Sequence, residues 1–299
     1  MAKAISSFIN GGRTTFLSIS RSDLSPTTPP HRPNSVICMK SNSWANIESD
    51  IQTHLKKSIP IRAPEDVFEP MHYLTFAAPR TTAPALCIAA CEVVGGDGDQ
   101  AMAAAAAIHL VHAAAYAHEN LPLTDRRRPK PPIQHKFNSN IELLTGDGIV
   151  PYGFELLAKS MDSNNSDRIL RVIIEITQAA GSKGIIDGQF RELDVIDSEI
   201  NMGLIEYVCK KKEGELNACG AACGAILGGG SEEEIGKLRK FGLYAGMIQG
   251  LVHGVGKNRE EIQELVRKLR YLAMEELKSL KNRKIDTISS LLETDLCSV

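Results

Sequence analysis

The residues best suited to chemistry lie near the middle of the chain. His112, Tyr116 and Glu119 recur at helical spacing and can share one face. Asp125 follows, with Arg126, Arg127 and Arg128 directly behind it. Carboxylates of this kind hold hard cations and guanidinium groups grip phosphate, so the stretch points at a metal or a polyanion. The segment that must present it, AMAAAAAIHLVHAAAYAH, has no internal Gly or Pro. It favours a helix because alanine loses no rotamer freedom there. Pro122 and Pro129 mark where that helix gives way to a short acidic, then basic, tail.

The run ALCIAACEVVGGD, then a helix ending in His-Glu-Asn-Leu-Pro and an Arg-rich tail, resembles the plastid geranylgeranyl diphosphate synthase family of trans-prenyltransferases. In catalytic members that helix ends in DDxxxxD, whose carboxylates bind magnesium and hold the allylic diphosphate. Glu119, Asn120 and Asp125 stand at those positions here, so the adjacent aspartates are lost. A late helix of the family carries DDxxD; the matching stretch GMIQGLVHGVGK places His253, Gly254 and Lys257 there. A diphosphate leaves only when its developing charge is neutralised. An imidazole, a glycine and an ammonium repel the cation that would do this. His253 taken alone reads either as a general base or as a plain polar residue near a helix end.

The pocket for isopentenyl diphosphate follows the same pattern. The family's GGKRxRP is replaced by APRTTAP, with Arg80 keeping the one positive charge. By the resemblance, His112, Gln189 and Lys212 stand at diphosphate-side positions, and Arg127 and Arg128 at the basic segment that contacts substrate phosphate. Arg80, His112, Arg127, Arg128, Gln189 and Lys212 are thus the residual diphosphate contacts expected, with no catalytic residue and no metal ligand assigned to this chain. One remaining reading lets Glu119 and Asp125 hold a single cation loosely.

Cys87 with Cys91 and Cys219 with Cys223 are CxxxC pairs, each on one helical face. Gly220 and Gly224 flatten the surface around the second pair, which allows another helix to approach closely. Structural zinc prefers closer CxxC spacing, and a disulfide within one helix is poorly aligned. From the residues alone the pairs read as small buried core positions. The resemblance adds that two such motifs mark small subunits of heteromeric geranyl(geranyl) diphosphate synthases, where they are associated with binding the large subunit.

The elements around these residues are helical throughout. The expected segments run 44–57, 83–94, 99–119, 140–161, 167–181, 200–212, 216–227, 231–252, 259–282 and 285–292, with a capping box from Ser231 to Glu234. No alternating β-branched run is long enough to build a sheet. Residues 1–45 are rich in Ser, Thr and basic residues against one acid, Asp23, and read as a plastid transit peptide. Residues 46–299 form one all-α domain. With 43% hydrophobic but only 5% aromatic residues, its core must rest on Ala, Leu, Ile and Val. A formal net charge of -2 argues against nucleic-acid binding, and no apolar run is long enough to span a membrane.

The resemblance therefore implies the isoprenoid synthase fold in a regulatory subunit that is inactive alone. Its partner would be a plastid geranylgeranyl diphosphate synthase large subunit, in a heterodimer or heterotetramer, with magnesium held by the partner. The expected effect is a shift of product toward geranyl diphosphate in the stroma. A type II subunit that enhances geranylgeranyl diphosphate and a weakly active prenyltransferase are the alternatives.

Overall fold

Alanine-rich and glycine-spaced sequences let helices approach one another closely, and the computed structural model is organised by that closeness. It describes residues 44–122, 135–193, 201–253, 260–280, 283 and 285–293. The expected transit segment lies outside these residues except for Trp44 and Ala45, which begin the first helix. All regular structure among the described residues is helical.

The helix at the centre is α9 (Glu215–Leu227), in which every residue from Leu216 to Leu227 is buried. On one side it meets α3 (Ala83–Val93) and on another α10 (Glu232–His253). A Cβ added at Gly220 would lie 2.2 Å from the Ala83 carbonyl oxygen, and one at Gly224 1.9 Å from that of Cys87. The flat face expected around the second CxxxC pair is therefore real, and the helix that approaches it is α3 of the same chain. Backbones held this near exchange dispersion along their whole contact and bring Cα–H groups against carbonyls.

Around this pair stand α1 (Trp44–Ser58), α2 (Glu65–Ala77), α4 (Met102–Asn120), α5 (Ser139–Lys159), α6 (Ser166–Ala180), α7 (Ile185–Leu193), α8 (Met202–Cys209), α11 (Glu260–Lys278) and α12 (Asp286–Glu293). The capping box is formed: Glu234 Oε2 accepts from the Ser231 amide at 2.8 Å and Ser231 Oγ accepts from the Glu234 amide at 3.3 Å. Two helices depart from the sequence reading. Helix α2 forms despite Pro64 at its N-cap and Pro70 inside it, and α7 is only nine residues long with Gly188 within. A third departure matters more for the site. The break expected at 213–215 between two helices is not there: a π-turn, Lys210–Gly214, joins α8 directly to α9.

Burial also creates an acid-sensitive tie. His109 on α4 donates from Nε2 to the Thr75 carbonyl of α2 at 2.8 Å. Burial drives its pKa from 6.5 down to about 4, against the Thr75 hydrogen bond, which raises it, and with His112 lowering it further. A folded pKa below the unfolded one means that this stability is present above pH 6.5 and lost as pH falls from 6.5 toward 4. The loss amounts to about 3 kcal/mol. Urea titrations across that interval should show it, and His109→Gln should flatten that part of the profile. An unchanged slope in the variant would refute the assignment.

Candidate functional site

The C-terminal end of α4, one face of α7 and the π-turn converge on a single ammonium. Lys212 Nζ donates to Glu119 Oε1 at 2.5 Å and to Glu192 Oε2 at 2.8 Å. Gln189 Nε2 donates to Glu119 Oε2 at 3.3 Å and to the Ala115 carbonyl at 3.2 Å. A π-turn admits one extra residue per turn and is often found where a helix presents functional groups. Here it directs Lys212 inward. The next residue, Glu213, has its carboxyl pKa raised by burial, with Lys212 and His253 opposing and Glu192 adding to the rise.

Sequence reasoning placed Gln189 and Lys212 among diphosphate contacts and Glu119 at a metal position; the structure brings the three together by bonding both Gln189 and Lys212 to Glu119. His112 belongs to the same neighbourhood. Its Nε2 donates to the Pro79 carbonyl at 2.9 Å, and its pKa is lowered by burial first and by the Lys212 charge among the lesser causes. Asn120 turns back on its own helix, donating from Nδ2 to the Tyr116 carbonyl at 2.8 Å. Arg80 is exposed and lies 3.5 Å from Glu48 of α1. His253 ends α10 as an exposed residue. Asp125, Arg127, Arg128, Gly254 and Lys257 lie outside the described residues.

Sequence reasoning missed Glu192 and the hydrogen bonds made by Thr82. Glu192 stands three residues after Gln189, on the same helical face, and that spacing was its signal. The Thr82 hydroxyl reaches Asn217 Oδ1 at 2.6 Å, with Gln249 Oε1 at 3.0 Å. It thereby ties the start of α3 to α9 and α10 where the family's pocket carries cationic groups. No spacing rule connects positions so far apart in the chain.

Magnesium in this fold needs several oxygen ligands with a net negative charge. The described donors do not fit it: Glu119 and Glu192 share an ammonium, Asn120 is turned to its own helix, and His253 is exposed at the end of α10. Among the described residues no three His, Cys, Asp or Glu side chains are grouped to hold a metal.

The cysteines call for a correction of place. Cys87, Cys91, Cys219 and Cys223 are 0–3% exposed and sit in the core rather than on a face open to another chain. Cys91 Sγ donates to the Asp97 carbonyl at 3.2 Å, and the sulfurs of Cys219 and Cys223 lie 3.7 Å apart as free thiols. Burial pushes the Cys87 and Cys223 pKa values well up and that of Cys91 to about 12. These are inert packing groups in the α3–α9 contact.

An all-helical domain whose α4, α7, π-turn and α10 gather around one polar cluster has the isoprenoid synthase, or trans-prenyltransferase, architecture. The chain belongs to the polyprenyl synthetase family, whose sequence model matches residues 64–250. It is similar to a protein named heterodimeric geranylgeranyl pyrophosphate synthase small subunit 2, chloroplastic, from Cannabis sativa. Identity is 52% over 261 residues, covering 84% of this chain and 91% of that one. Among solved structures, the geranyl diphosphate synthase small subunit from Antirrhinum majus superposes with a TM-score of 0.78 at 62% identity, covering 84% of this chain and 97% of the other. A structure described as a mint deletion mutant of heterotetrameric geranyl pyrophosphate synthase in complex with ligands gives a TM-score of 0.74 at 58% identity, covering 83% and 98%.

Proposed function

We propose that this chain is a non-catalytic small subunit that binds a plastid geranylgeranyl diphosphate synthase and shifts its product toward geranyl diphosphate. The observation that carries the reading is the closed ion pair at the first aspartate-motif position. The family fold is kept while Glu119 is bonded to Lys212, and the described remnants of both motifs supply no pair of adjacent carboxylates. Ionisation of the allylic diphosphate then falls to the partner, which also holds the magnesium.

The outer surface supports a partner. Helices α5 and α6 bury one face on this chain and leave apolar side chains on the other. Leu144, Gly148 and Pro151 follow one another at i, i+4 and i+7 on α5, all exposed, and Leu170 and Ile174 at i and i+4 on α6 are 54% and 55% exposed. Apolar stripes on neighbouring helices mark an association surface. The names of the relatives support heterodimeric or heterotetrameric assembly with a large subunit.

The product preference rests on the similarity at 62% and 58% identity to chains described as parts of geranyl diphosphate synthases. The Cannabis sativa relative, named for geranylgeranyl pyrophosphate synthase, keeps the type II role as the second reading. Incubating the purified chain with isopentenyl and dimethylallyl diphosphates and magnesium should give no condensation above a vector control. Adding a plastid geranylgeranyl diphosphate synthase should raise the share of C10 product. Turnover by the pure chain would defeat the non-catalytic role, and a mixed complex that makes only C20 would select type II.

The basic, Ser- and Thr-rich composition of residues 1–45 and relatives named chloroplastic support a plastid address, and the proposed compartment is the stroma. A fluorescent protein fused behind residues 1–45 should enter plastids. Cytosolic fluorescence would overturn that address.

A further inference from the structure

Burial of apolar surface is non-directional, so by itself it discriminates poorly between small rotations of a helix about its own axis. Helix α6 buries Ile169, Val172, Ile176 and Ala179, chiefly on α9. Something else must fix which side of it faces out.

Its polar flank does so. Arg168, Arg171 and Glu175 stand at i, i+3 and i+7, and each reaches off the helix. Arg168 Nη1 donates to the Leu227 carbonyl at the end of α9 at 3.0 Å. Arg171 donates from Nη1 and Nη2 to the two oxygens of Glu232 at 2.5 and 2.7 Å. Arg239 of α10 donates in the same way to the two oxygens of Glu175, at 2.6 and 2.7 Å. A planar two-bond fork fixes orientation as well as distance. The Glu232 side chain is 76% exposed and its pair is open to water, whereas that of Glu175 is 14% exposed, so the Arg239 fork is the less screened of the two. Each forked residue on α6 directly follows an exposed apolar one: Leu170 precedes Arg171, and Ile174 precedes Glu175. A turn of α6 large enough to break the forks would carry Leu170 and Ile174 out of their outward setting.

We infer that Arg239, through its fork to Glu175, sets the rotation of α6 and so holds Leu170 and Ile174 in the orientation that a catalytic partner meets. Arg239 is thereby a positioning residue for association. The inference rests on the association surface proposed above for α5 and α6.

The test is surface plasmon resonance of full-length variants over an immobilised plastid geranylgeranyl diphosphate synthase, with a thermal melt and amide hydrogen exchange of each free variant. Arg239→Met should bind roughly tenfold more weakly, the loss expected when α6 keeps its binding orientation about a tenth of the time. It should also melt lower, because Glu175 is left without its cation. Glu175→Gln/Arg239→Met leaves no orphaned charge, so its melting should return most of the way to that of the unaltered chain. Its affinity should stay roughly tenfold weak, since the fork is still missing. A pair that served stability alone would recover both together. Amides of α6 should exchange faster in both variants, and those of α5 should not. If Arg239→Met fails to fold, the double variant carries the comparison. Full affinity in the double variant, or unchanged α6 exchange, would overturn the inference. Leu170→Glu with Ile174→Glu separates the two levels: weakened binding there, beside full affinity in the Arg239 variants, would sink the positioning role and leave the surface standing. Undiminished binding there would remove the surface and this inference with it.

Discussion

Replacing Gly224 with alanine is expected to cost about 3 kcal/mol or more, because overpacking a tight contact typically costs 1–3 and backbone has little freedom to yield. The new methyl carbon would fall 1.9 Å from the Cys87 carbonyl oxygen, and Cys91 N lies 3.0 Å from the same point. Neither is the end of a flexible side chain. Relief requires α3 and α9 to separate, which loosens the contact around all four CxxxC cysteines. Gly236→Ala is the matched control, since a Cβ there meets nothing within 4 Å. That change should leave stability unchanged or raise it by roughly 0.5–1 kcal/mol, as glycine in a helix interior costs that much relative to alanine. Urea denaturation of both variants checks the pair. A Gly224→Ala chain as stable as the control would contradict the close packing on which the fold rests.

The second large effect concerns association. Leu170→Glu with Ile174→Glu should weaken binding to a catalytic partner at least about 100-fold, because two carboxylates would be buried without counterions in an apolar contact. Both side chains are more than half exposed in this chain, so its own melting temperature should change little. Surface plasmon resonance against an immobilised geranylgeranyl diphosphate synthase, paired with a thermal melt, separates the two effects. Undiminished binding would move the contact away from α6.

Much of the fold was legible because long alanine-rich and capped segments declare helices locally. The Ser231 to Glu234 box and the glycines of NACGAACGA each led to the structure later observed. Helix α2 was hidden by Pro64 and Pro70, and α7 by its shortness and by Gly188. Neither helix gains its stability from local propensity; packing against other helices supplies it.

The site was legible as a loss and not as a replacement. Glu119 and Asn120 could be read as degenerate metal positions by their place in the chain. The partner of Glu119 lies 93 residues away, and the π-turn that delivers Lys212 has no local signature in KKKEGE. For the same reason the cysteine pairs were correctly placed on helical faces while the identity of the neighbour was not. A face flat enough for a second chain is equally flat enough for α3.

The central claim is that a chain with the prenyltransferase fold and a self-neutralised site works by joining a catalytic one. Its most direct test is the light-scattering mass of an equimolar mixture of this chain, lacking residues 1–45 as that segment would be removed on import, with a plastid geranylgeranyl diphosphate synthase carrying both aspartate motifs. The account predicts a single species whose mass requires both chains, a heterodimer or heterotetramer. Two species that elute unmixed, with several such synthases tried, would contradict it.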